Sequence, residues 1–421
     1  MASLYIHIPF CRSRCIYCGF YSTTALNLRQ RYVDALCREM EIRGEWKEVR
    51  GERFDIGTIY LGGGTPSQLT PQQLHQLFIY INKVYTPPSD TSLTSHLLPL
   101  TSHTEVTIEV NPDDVTTEFA AMLSQLPVNR VSMGVQTFND QRLQFLHRRH
   151  TARQVSEAID RLRSAGIKNL SIDLMYGFPG ESLSDWESDI DAALALDVEH
   201  ISAYCLMIEE GTPLHKMFTV YGLQFTDDYH DSLSQDISRT TLPPYPHSLE
   251  LPTEELERQM YYTLIDRLTA AGYEHYEISN FARPGFRSRH NSNYWNGTPY
   301  IGLGAAAHSY DIRSRSWNVA DINAYMEGIE HGERRFEEEL LDDDTRYNDT
   351  ITVGLRTCEG INLDTLSERY RDYCMKNARR YLDDGLLELV TTTDSNPASH
   401  LKLSRRGLFV SDMVMSDLMM V

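Results

Sequence analysis

Short β-patterned runs alternate with helical segments through the first half of this chain. Between most of these runs, as in Leu28–Arg43, Gln141–Ala165 and Ser184–Ala195, apolar residues recur at the spacing of one helix face. Strands that alternate with helices form a parallel sheet. We therefore predict an α/β fold with six βα units, whose strands lie near residues 4–8, 56–61, 104–110, 130–135, 168–174 and 199–206. The pattern lacks the two further strands that a closed eight-stranded barrel would need.

Three cysteines follow the first predicted strand, in Cys11-Arg-Ser-Arg-Cys15-Ile-Tyr-Cys18. Three thiolates can bind three irons of a [4Fe–4S] cube and leave the fourth iron open to a small molecule. Zinc is the alternative, although it usually takes four ligands, and His7 or a distant histidine would have to complete the site. Disulfide bonds fit poorly, because the chain has 7 cysteines in 421 residues and no expected signal peptide. The other cysteines are predicted to be small buried hydrophobic residues: Cys37, Cys205, Cys358 and Cys374.

Glycine-rich and polar segments occur where several predicted strands end. The run Leu61-Gly-Gly-Gly-Thr-Pro-Ser67 follows the second strand and allows the backbone to approach a ligand closely. Glu109, Gln136 and Asp173 each end a β-patterned run, and polar residues at the strand ends of a parallel barrel point to the ligand face. Taken singly, the glycines could form a tight βα turn, and the polar residues could be strand-end caps or surface salt bridges.

Together these motifs resemble the radical SAM superfamily, in which S-adenosylmethionine (SAM) binds the open iron of a [4Fe–4S] cluster. The resemblance begins with Tyr5-Ile-His-Ile-Pro-Phe-Cys11 and runs to the C-terminal region. It includes the segments 107–112, 132–139, 146–150 and 171–180. More closely, it points to the branch that contains oxygen-independent coproporphyrinogen III oxidase (HemN) and the heme chaperone family HemW. The resemblance implies a radical SAM partial (β/α)6 TIM-like barrel with an α+β C-terminal domain.

The resemblance also implies roles for individual residues. Cys11, Cys15 and Cys18 would bind the cluster. The amino and carboxylate groups of SAM would chelate the open iron, and reduction of the cluster would cleave SAM to a 5′-deoxyadenosyl radical. Tyr17 matches an aromatic position that packs on adenine, and Arg148 matches a positive partner. The residues expected to contact SAM are Tyr5, Tyr17, Gly63, Gly64, Thr65, Glu109, Gln136, Arg148 and Asp173.

Two features distinguish the chaperones from the oxidases of this branch. The oxidases carry a fourth cysteine two positions after the third, where this chain has Phe20. The segment His290-Asn-Ser-Asn-Tyr-Trp295 matches an HNxxYW motif of the HemW family. The resemblance therefore implies a heme chaperone that delivers heme to a respiratory partner. The alternative is a coproporphyrinogen III oxidase, which forms protoporphyrinogen IX by oxidative decarboxylation, and a weaker third hypothesis is a radical enzyme with another substrate.

The HNxxYW segment is the expected heme site, because imidazole is a common axial ligand of heme iron and aromatic rings pack on the macrocycle. The alternative for this segment is a polar turn that closes the barrel, and His308 is a rival heme ligand. Nearby arginines could pair with porphyrin propionates or could be ordinary surface residues: Arg283, Arg287 and Arg289. The candidates for heme binding are His290, Asn291, Tyr294 and Trp295.

Charge and hydropathy restrict the partners and the compartment. The net charge of −20 argues against nucleic acid, whose phosphates need a basic surface. No apolar run approaches the ~18 residues of a transmembrane segment. We expect a cytoplasmic protein, because a reducing compartment preserves thiolate ligands. Expected partners are heme or a porphyrin, a heme-accepting respiratory protein, and a reductant of the flavodoxin or ferredoxin type.

We predict four regions along the chain. Residues 1–218 form the radical SAM barrel, with a Ser-, Thr- and Pro-rich surface insertion at 85–104. Residues 219–252 form an irregular insertion, and residues 253–335 contain the HNxxYW motif and close the barrel. Residues 336–421 form the C-terminal domain, in which two helices and a β-hairpin resemble a winged helix. The acidic run at 337–344 is predicted to be a solvated linker.

Overall fold

The computed structural model describes residues 1–44, 48–49, 52–53, 56–85, 103–221, 250–391 and 398–420. The strands are β1 (Ala2–Ile8), β2 (Glu48–Val49), β3 (Glu52–Arg53), β4 (Ile56–Gly63), β5 (Glu105–Val110), β6 (Arg130–Gln136), β7 (Asn169–Tyr176), β8 (His200–Cys205), β9 (Glu274–Glu277), β10 (Asn280–Ala282), β11 (Tyr300–Leu303), β12 (His308–Tyr310), β13 (Ser314–Asn318), β14 (Phe336–Leu340), β15 (Ile361–Asn362), β16 (Leu387–Thr391) and β17 (Ser399–Leu403). The helices are α1 (Arg29–Arg43), α2 (Pro71–Tyr85), α3 (Thr117–Leu123), α4 (Asp140–Phe145), α5 (Ala152–Ser164), α6 (Leu183–Ala195), α7 (Pro213–Tyr221), α8 (Glu254–Ala270), α9 (Arg289–Trp295), α10 (Ile322–Glu330), α11 (Asp343–Leu355), α12 (Glu368–Asp383), α13 (Arg405–Leu408) and α14 (Ser411–Leu418).

The six strands predicted from the sequence lie side by side in the large sheet, whose order is β14-β13-β12-β11-β1-β4-β5-β6-β7-β8-β10-β9. β1 pairs in parallel with β4, and each strand from β4 to β8 pairs in parallel with the next. This arrangement confirms the predicted α/β barrel. The structure adds β11, which pairs in parallel with the other side of β1. β11 has only four residues, so it is too short to show the alternation by which the longer strands were recognised.

The parallel strands have an apolar outer face and a polar inner face. In β4, Ile59 and Leu61 are fully buried in the hydrophobic core that the helices cover. Thr58 and Tyr60 alternate with them and point to the other side, where Thr58 bonds to Ser3 and Tyr60 to Glu109. Because the apolar core surrounds the barrel rather than filling it, the interior is available for a polar ligand site.

One predicted helix is interrupted. The segment Gln141–Ala165 forms two helices, α4 and α5, because His147 adopts a φ of 59°, which a continuous right-handed helix does not allow. The backbone N–H of Arg148 then bonds to the carbonyl of Leu143 at 2.8 Å. The resulting turn directs Arg148 to the end of the barrel instead of to a helix surface.

The acidic run that was predicted to be a linker is a strand at the edge of the sheet. In β14, Glu337 pairs with Trp317 and Glu339 pairs with Arg315 of β13. All five residues of β14 are exposed, and three of them are charged: Glu337, Glu338 and Glu339. The run is therefore solvated, as predicted, but it is a strand and not a linker. Charged side chains are also a means by which an open sheet edge avoids pairing with other chains.

The C-terminal part has a hydrophobic core of its own, which includes Tyr347, Cys374 and Leu401. Helices α11 and α12 and the hairpin β16–β17 surround it. The predicted hairpin is confirmed, whereas α11 was not predicted and the segment Ile361–Asn362 is the short strand β15. The prediction of a buried thiol is confirmed for Cys37 and Cys374, whereas Cys358 is exposed and Cys205 is half-buried.

The insertions at 85–104 and 219–252 lie mostly outside the described residues, so they remain predictions, as do the boundaries of the four regions. Within the described ranges, no helix is long and apolar enough to cross a membrane.

Candidate functional site

A cavity of about 690 Å³ opens where the parallel strands end. The cysteine loop after β1, the glycine turn after β4 and side chains from β5 to β8 form its wall. The fold therefore gathers residues from widely separated segments of the chain. The predicted cluster ligands and SAM contacts found in this wall are Cys11, Cys15, Tyr17, Cys18, Gly63, Gly64, Thr65, Glu109, Gln136, Arg148 and Asp173.

Backbone hydrogen bonds hold the cysteine loop across the end of the barrel. The N–H of Cys11 donates to the carbonyl of Thr23 at 2.9 Å, and the N–H of Ile16 donates to that of Leu146 at 3.3 Å. Ile16 is buried in a small apolar cluster with Phe178. The middle of the loop is thus anchored, while the three thiols remain half-buried beside the cavity.

The thiols have polar neighbours. Cys11 Sγ lies 3.4 Å from Thr65 Oγ1, and Arg148 Nη1 donates to Cys15 Sγ at 3.6 Å. Burial raises the pKa of the Cys11 and Cys18 thiols, so a bound metal would have to displace their protons.

The donor set fits a cluster better than a single ion. In the parts of the chain that the structure describes, no three His, Cys, Asp or Glu side chains are grouped as one metal ion would require, so the zinc alternative gains no support. A [4Fe–4S] cube has a different requirement, because each of its thiolates binds a separate iron. Cys11, Cys15 and Cys18 all line the cavity, so each offers its thiol to the same space.

The glycine turn approaches the cysteine loop so closely that a side chain would not fit. The N–H of Gly64 donates to the carbonyl of Ile8 at 2.9 Å, and a Cβ at Gly64 would lie 2.7 Å from that oxygen. Gly63 has a φ of 104°, which residues with a side chain rarely adopt. The turn consequently presents bare backbone to the cavity, as a close contact with a ligand requires.

Two carboxyl groups, on β5 and β7, lie in the wall. Glu109 accepts hydrogen bonds from the Tyr60 hydroxyl at 2.8 Å and from the N–H of Gly63 at 3.1 Å. Burial raises the pKa of Glu109 to about 7 and the pKa of Asp173 to about 6. Both groups therefore titrate close to neutral pH, and both can accept hydrogen bonds from ligand hydroxyl groups.

Arg148 links three segments of the wall. Besides Cys15, it donates from Nη2 to Asn111 Oδ1 at 2.7 Å. Asn111 in turn donates to Thr65 Oγ1 at 3.3 Å. The cysteine loop, the end of β5 and the glycine turn are thereby held in one arrangement. Gln136, which ends β6 with a φ of 70°, borders the same space.

Tyr5 is the predicted SAM contact that the structure places outside the wall. Its hydroxyl group lies 3.0 Å from His7 Nδ1, and its ring stacks on Tyr60 with centroids 6.3 Å apart. Because Tyr60 bonds to Glu109, Tyr5 supports the wall from behind.

The HNxxYW segment, which forms α9, lies mainly below the cavity, although Asn291 borders it. His290 is 1% exposed. Its Nδ1 lies 2.8 Å from Thr58 Oγ1 and its Nε2 lies 3.0 Å from the Tyr294 hydroxyl, so both ring nitrogens have protein partners. Burial lowers the pKa of His290 to about 3. Trp295 packs under the guanidinium of Arg356 at 4.8 Å. The segment thus has the geometry of a polar plug.

The rival groups near the segment occupy other positions. His308 is exposed and stacks on Trp317, with ring centroids 5.7 Å apart. The three neighbouring arginines each bond to the protein: Arg283 to Asp197, Arg287 to Glu274 and Glu359, and Arg289 to the carbonyl of His103.

Sequence reasoning missed several residues of the wall, among them Asn111 and Arg130. Asn111 is two positions after Glu109, and Arg130 is six positions before Gln136. Side chains in a strand alternate between its faces, so the even spacing of Arg130 from Gln136 in β6 was a signal that could have found Arg130, whereas Asn111 follows the end of β5.

Comparison with known proteins agrees with this geometry. The radical SAM superfamily matches residues 5–193, and it implies a [4Fe–4S] cluster and SAM as cofactors. The fold is similar to that of coproporphyrinogen III oxidase (HemN) from Escherichia coli, with a TM-score of 0.73 and 20% identity. That similarity covers 99% of this chain and 89% of the oxidase.

Relatives named heme chaperone HemW match most of the chain. The protein from Bacillus subtilis is 33% identical over 371 residues, which are 88% of this chain and 87% of the relative. The protein from Mycobacterium tuberculosis H37Rv is 31% identical over 424 residues, covering 99% of this chain and 94% of the relative. The chain therefore belongs to the HemW family of the radical SAM superfamily.

Proposed function

We propose that this protein is a cytoplasmic heme chaperone, which binds heme and delivers it to a respiratory partner. Membership of the HemW family along most of the chain is the observation that carries the proposal, since those relatives are named heme chaperones. A reductant of the flavodoxin or ferredoxin type is a proposed second partner.

The side chains at the rim of the cavity are suited to binding a flat apolar ligand, which favours the proposal. Phe20, Tyr204 and Met207 border the cavity and are 69%, 43% and 64% exposed. Large apolar side chains exposed around a polar cavity are typical of a binding surface, and aromatic and thioether groups pack well on a conjugated ring. Phe20 also occupies the position at which the oxidases of this branch have their fourth cysteine.

Within this function we assign the cluster to Cys11, Cys15 and Cys18; when bound, it supplies one-electron chemistry. Gly63 and Gly64 offer backbone groups to SAM, and Tyr5 positions the wall behind Tyr60. The side chains proposed to contact SAM directly are Tyr17, Thr65, Glu109, Gln136, Arg148 and Asp173.

The proposed heme-binding residues remain His290, Asn291, Tyr294 and Trp295. Heme ligation by His290 would require its Nε2 to leave the Tyr294 hydroxyl and its ring, which is 1% exposed, to become accessible. His308 is exposed, so heme ligation by His308 would not require a buried side chain to become accessible.

The first experiment separates chaperone from oxidase. The cluster-reconstituted protein is incubated anaerobically with SAM, a reductant and coproporphyrinogen III, and the products are analysed by mass spectrometry. We expect no decarboxylated product, together with tight binding in a parallel heme titration. Formation of protoporphyrinogen IX would overturn the proposal and identify an oxidase.

The second experiment locates the heme. Heme titrations compare His290→Ala, Trp295→Ala and His308→Ala with His331→Ala, which alters an exposed histidine. We expect weaker heme binding for His290→Ala or Trp295→Ala. Wild-type affinity in both of these variants would exclude the HNxxYW segment, and a loss confined to His308→Ala would move the heme to β12.

A further inference from the structure

Arg130, the first residue of β6, is buried and has no hydrogen-bond or ion-pair partner among the residues that the structure describes. It is 1% exposed to solvent, yet it lines the cavity. Its Nε has no hydrogen-bond partner, and the described residues offer its guanidinium neither a hydrogen bond nor an ion pair. Burying a charge is costly unless the charge is paired. Arg130 is therefore held ready for an acceptor that the described protein does not provide.

Another buried arginine shows the contrast. Arg142 is 2% exposed and donates to Glu181 at 2.8 Å, and Asp189 lies 3.7 Å away. This arrangement is the usual one for an internal guanidinium. Arg130 has no equivalent arrangement, although it lies in the same barrel.

The two cavity acids on which Arg130 acts form no ion pair with it. Glu109 is bonded to Tyr60 and to the N–H of Gly63. Asp173 interacts with Ser202 and Ser132. Arg130 acts on both carboxyl groups through space but forms no ion pair with either. Its donors are consequently left free on the cavity side.

The sheet register gives the depth of Arg130. Glu109 is opposite Ser132, whereas Arg130 is opposite Thr107. Arg130 thus lies two residues, or about 7 Å, below Glu109 along the barrel. The cysteine loop is at the other end of the strands, so Arg130 belongs to a deeper part of the cavity than the proposed SAM contacts.

We propose that Arg130 binds the carboxylate of a second ligand, which occupies the barrel below the SAM site. The planar guanidinium matches a carboxylate with two parallel hydrogen bonds. A carboxylate fits better than a phosphate, because Arg130 is a single cation and a dianion would also face Glu109 and Asp173. The proposal concerns the class of ligand and does not depend on heme being that ligand.

The test uses propionate and propionamide, which have similar shapes and differ in charge. Thermal unfolding of the cluster-reconstituted protein is followed as each compound is added at constant ionic strength, with and without SAM. We expect propionate to raise the Tm and to bind about tenfold more tightly than propionamide. Equal effects of the two compounds would overturn the proposal. Loss of the propionate effect on adding SAM would also overturn it, because the site would then belong to SAM.

Variants assign the effect to Arg130. Arg130→Gln should abolish the propionate response. Arg130→Lys keeps the positive charge but lacks the planar guanidinium with its two parallel hydrogen bonds, so it should weaken the response. Arg149→Gln is the control, because Arg149 also lines the cavity but is paired with Asp113 and Asp114. A wild-type response in Arg130→Gln would refute the site. If that variant does not fold, the comparison of propionate with propionamide on the wild-type protein decides.

Discussion

At the scale of single residues, burial determines the chemistry of the cavity wall. Glu109 and Asp173 have raised pKa values because the barrel withdraws them from water. The same burial lowers the pKa of His7 to about 4. Burial thus favours the uncharged form of each of these groups. A ligand that donates hydrogen bonds to the two carboxyl groups would favour their charged form instead.

Replacing Glu109 with Gln should change how stability depends on pH. Because the pKa of Glu109 is raised to about 7 in the folded protein, the contribution of Glu109 to stability is lost as the pH rises from about 4.5 to 7. The Glu109→Gln variant lacks that loss. Relative to wild type it should therefore gain stability between pH 5 and 8, by on the order of 3 kcal/mol.

Urea unfolding of the unliganded protein at both pH values measures this difference. Glu333→Gln, at an exposed position, is the control and should follow the wild-type curve. A constant offset between wild type and Glu109→Gln at all pH values would show that Glu109 titrates equally in the folded and unfolded chains.

Gly64→Ala tests the close approach of the glycine turn. The new Cβ would meet the Ile8 carbonyl at 2.7 Å and Phe10 N at 3.0 Å, and backbone cannot move aside easily. We expect a loss of about 1–3 kcal/mol in the free energy of unfolding and weaker SAM binding in equilibrium dialysis. At Gly19, a Cβ would meet only Glu209, at 3.6 Å, so Gly19→Ala should retain wild-type stability. Equal stability of both variants would contradict the close packing of the turn against the cysteine loop.

At the scale of elements, strand ends and breaks decide where the site forms. The barrel strands were predictable because their outer faces carry regular apolar residues such as Ile59 and Leu61. The break between α4 and α5 was not, because periodicity continues through it and gives no sign of the positive φ of His147. That break is what brings Arg148 to Cys15.

Removing charge from the edge strand β14 should promote association. Glu337 and Glu339 are exposed on the outermost strand of the sheet, and edge charges discourage pairing between chains. The double variant Glu337→Val, Glu339→Val should form larger species in light scattering after mild heating, with an unchanged circular dichroism spectrum. The matched control replaces Glu254 and Glu255 of α8 with Val. If both double variants remain monodisperse, the edge needs no protection.

At the scale of the whole molecule, two hydrophobic cores are joined by polar contacts. Glu277 of β9 is fully buried and pairs with Arg356, which follows α11, at 2.6 Å. Arg356 also stacks on Trp295 of the HNxxYW segment. One side chain thus connects the barrel, its plug and the C-terminal core.

Arg356→Met should destabilise the protein by about 3 kcal/mol, because it leaves the Glu277 carboxylate buried without its partner. Arg405→Met is a matched control, since Arg405 also joins the C-terminal part to the barrel side but pairs with Asp266 on the surface. Its cost should stay below about 1 kcal/mol. Urea unfolding compares the two, and equal costs would mean that the buried pair contributes no more than the exposed one.

The sequence by itself determined the parallel barrel, the cysteine triad and the polar strand ends, because each depends on local spacing: alternation within a strand, or ligands within one loop. Only the tertiary structure decided which of those residues meet. In the folded protein, Tyr5 lies behind the wall, and both ring nitrogens of His290 have protein partners. The acidic run forms an edge strand. Among the described parts of the chain, the tertiary structure also gave Arg130 no hydrogen bond or ion pair inside the barrel. Burial and partners belong to contacts between distant segments, and no local pattern encodes them.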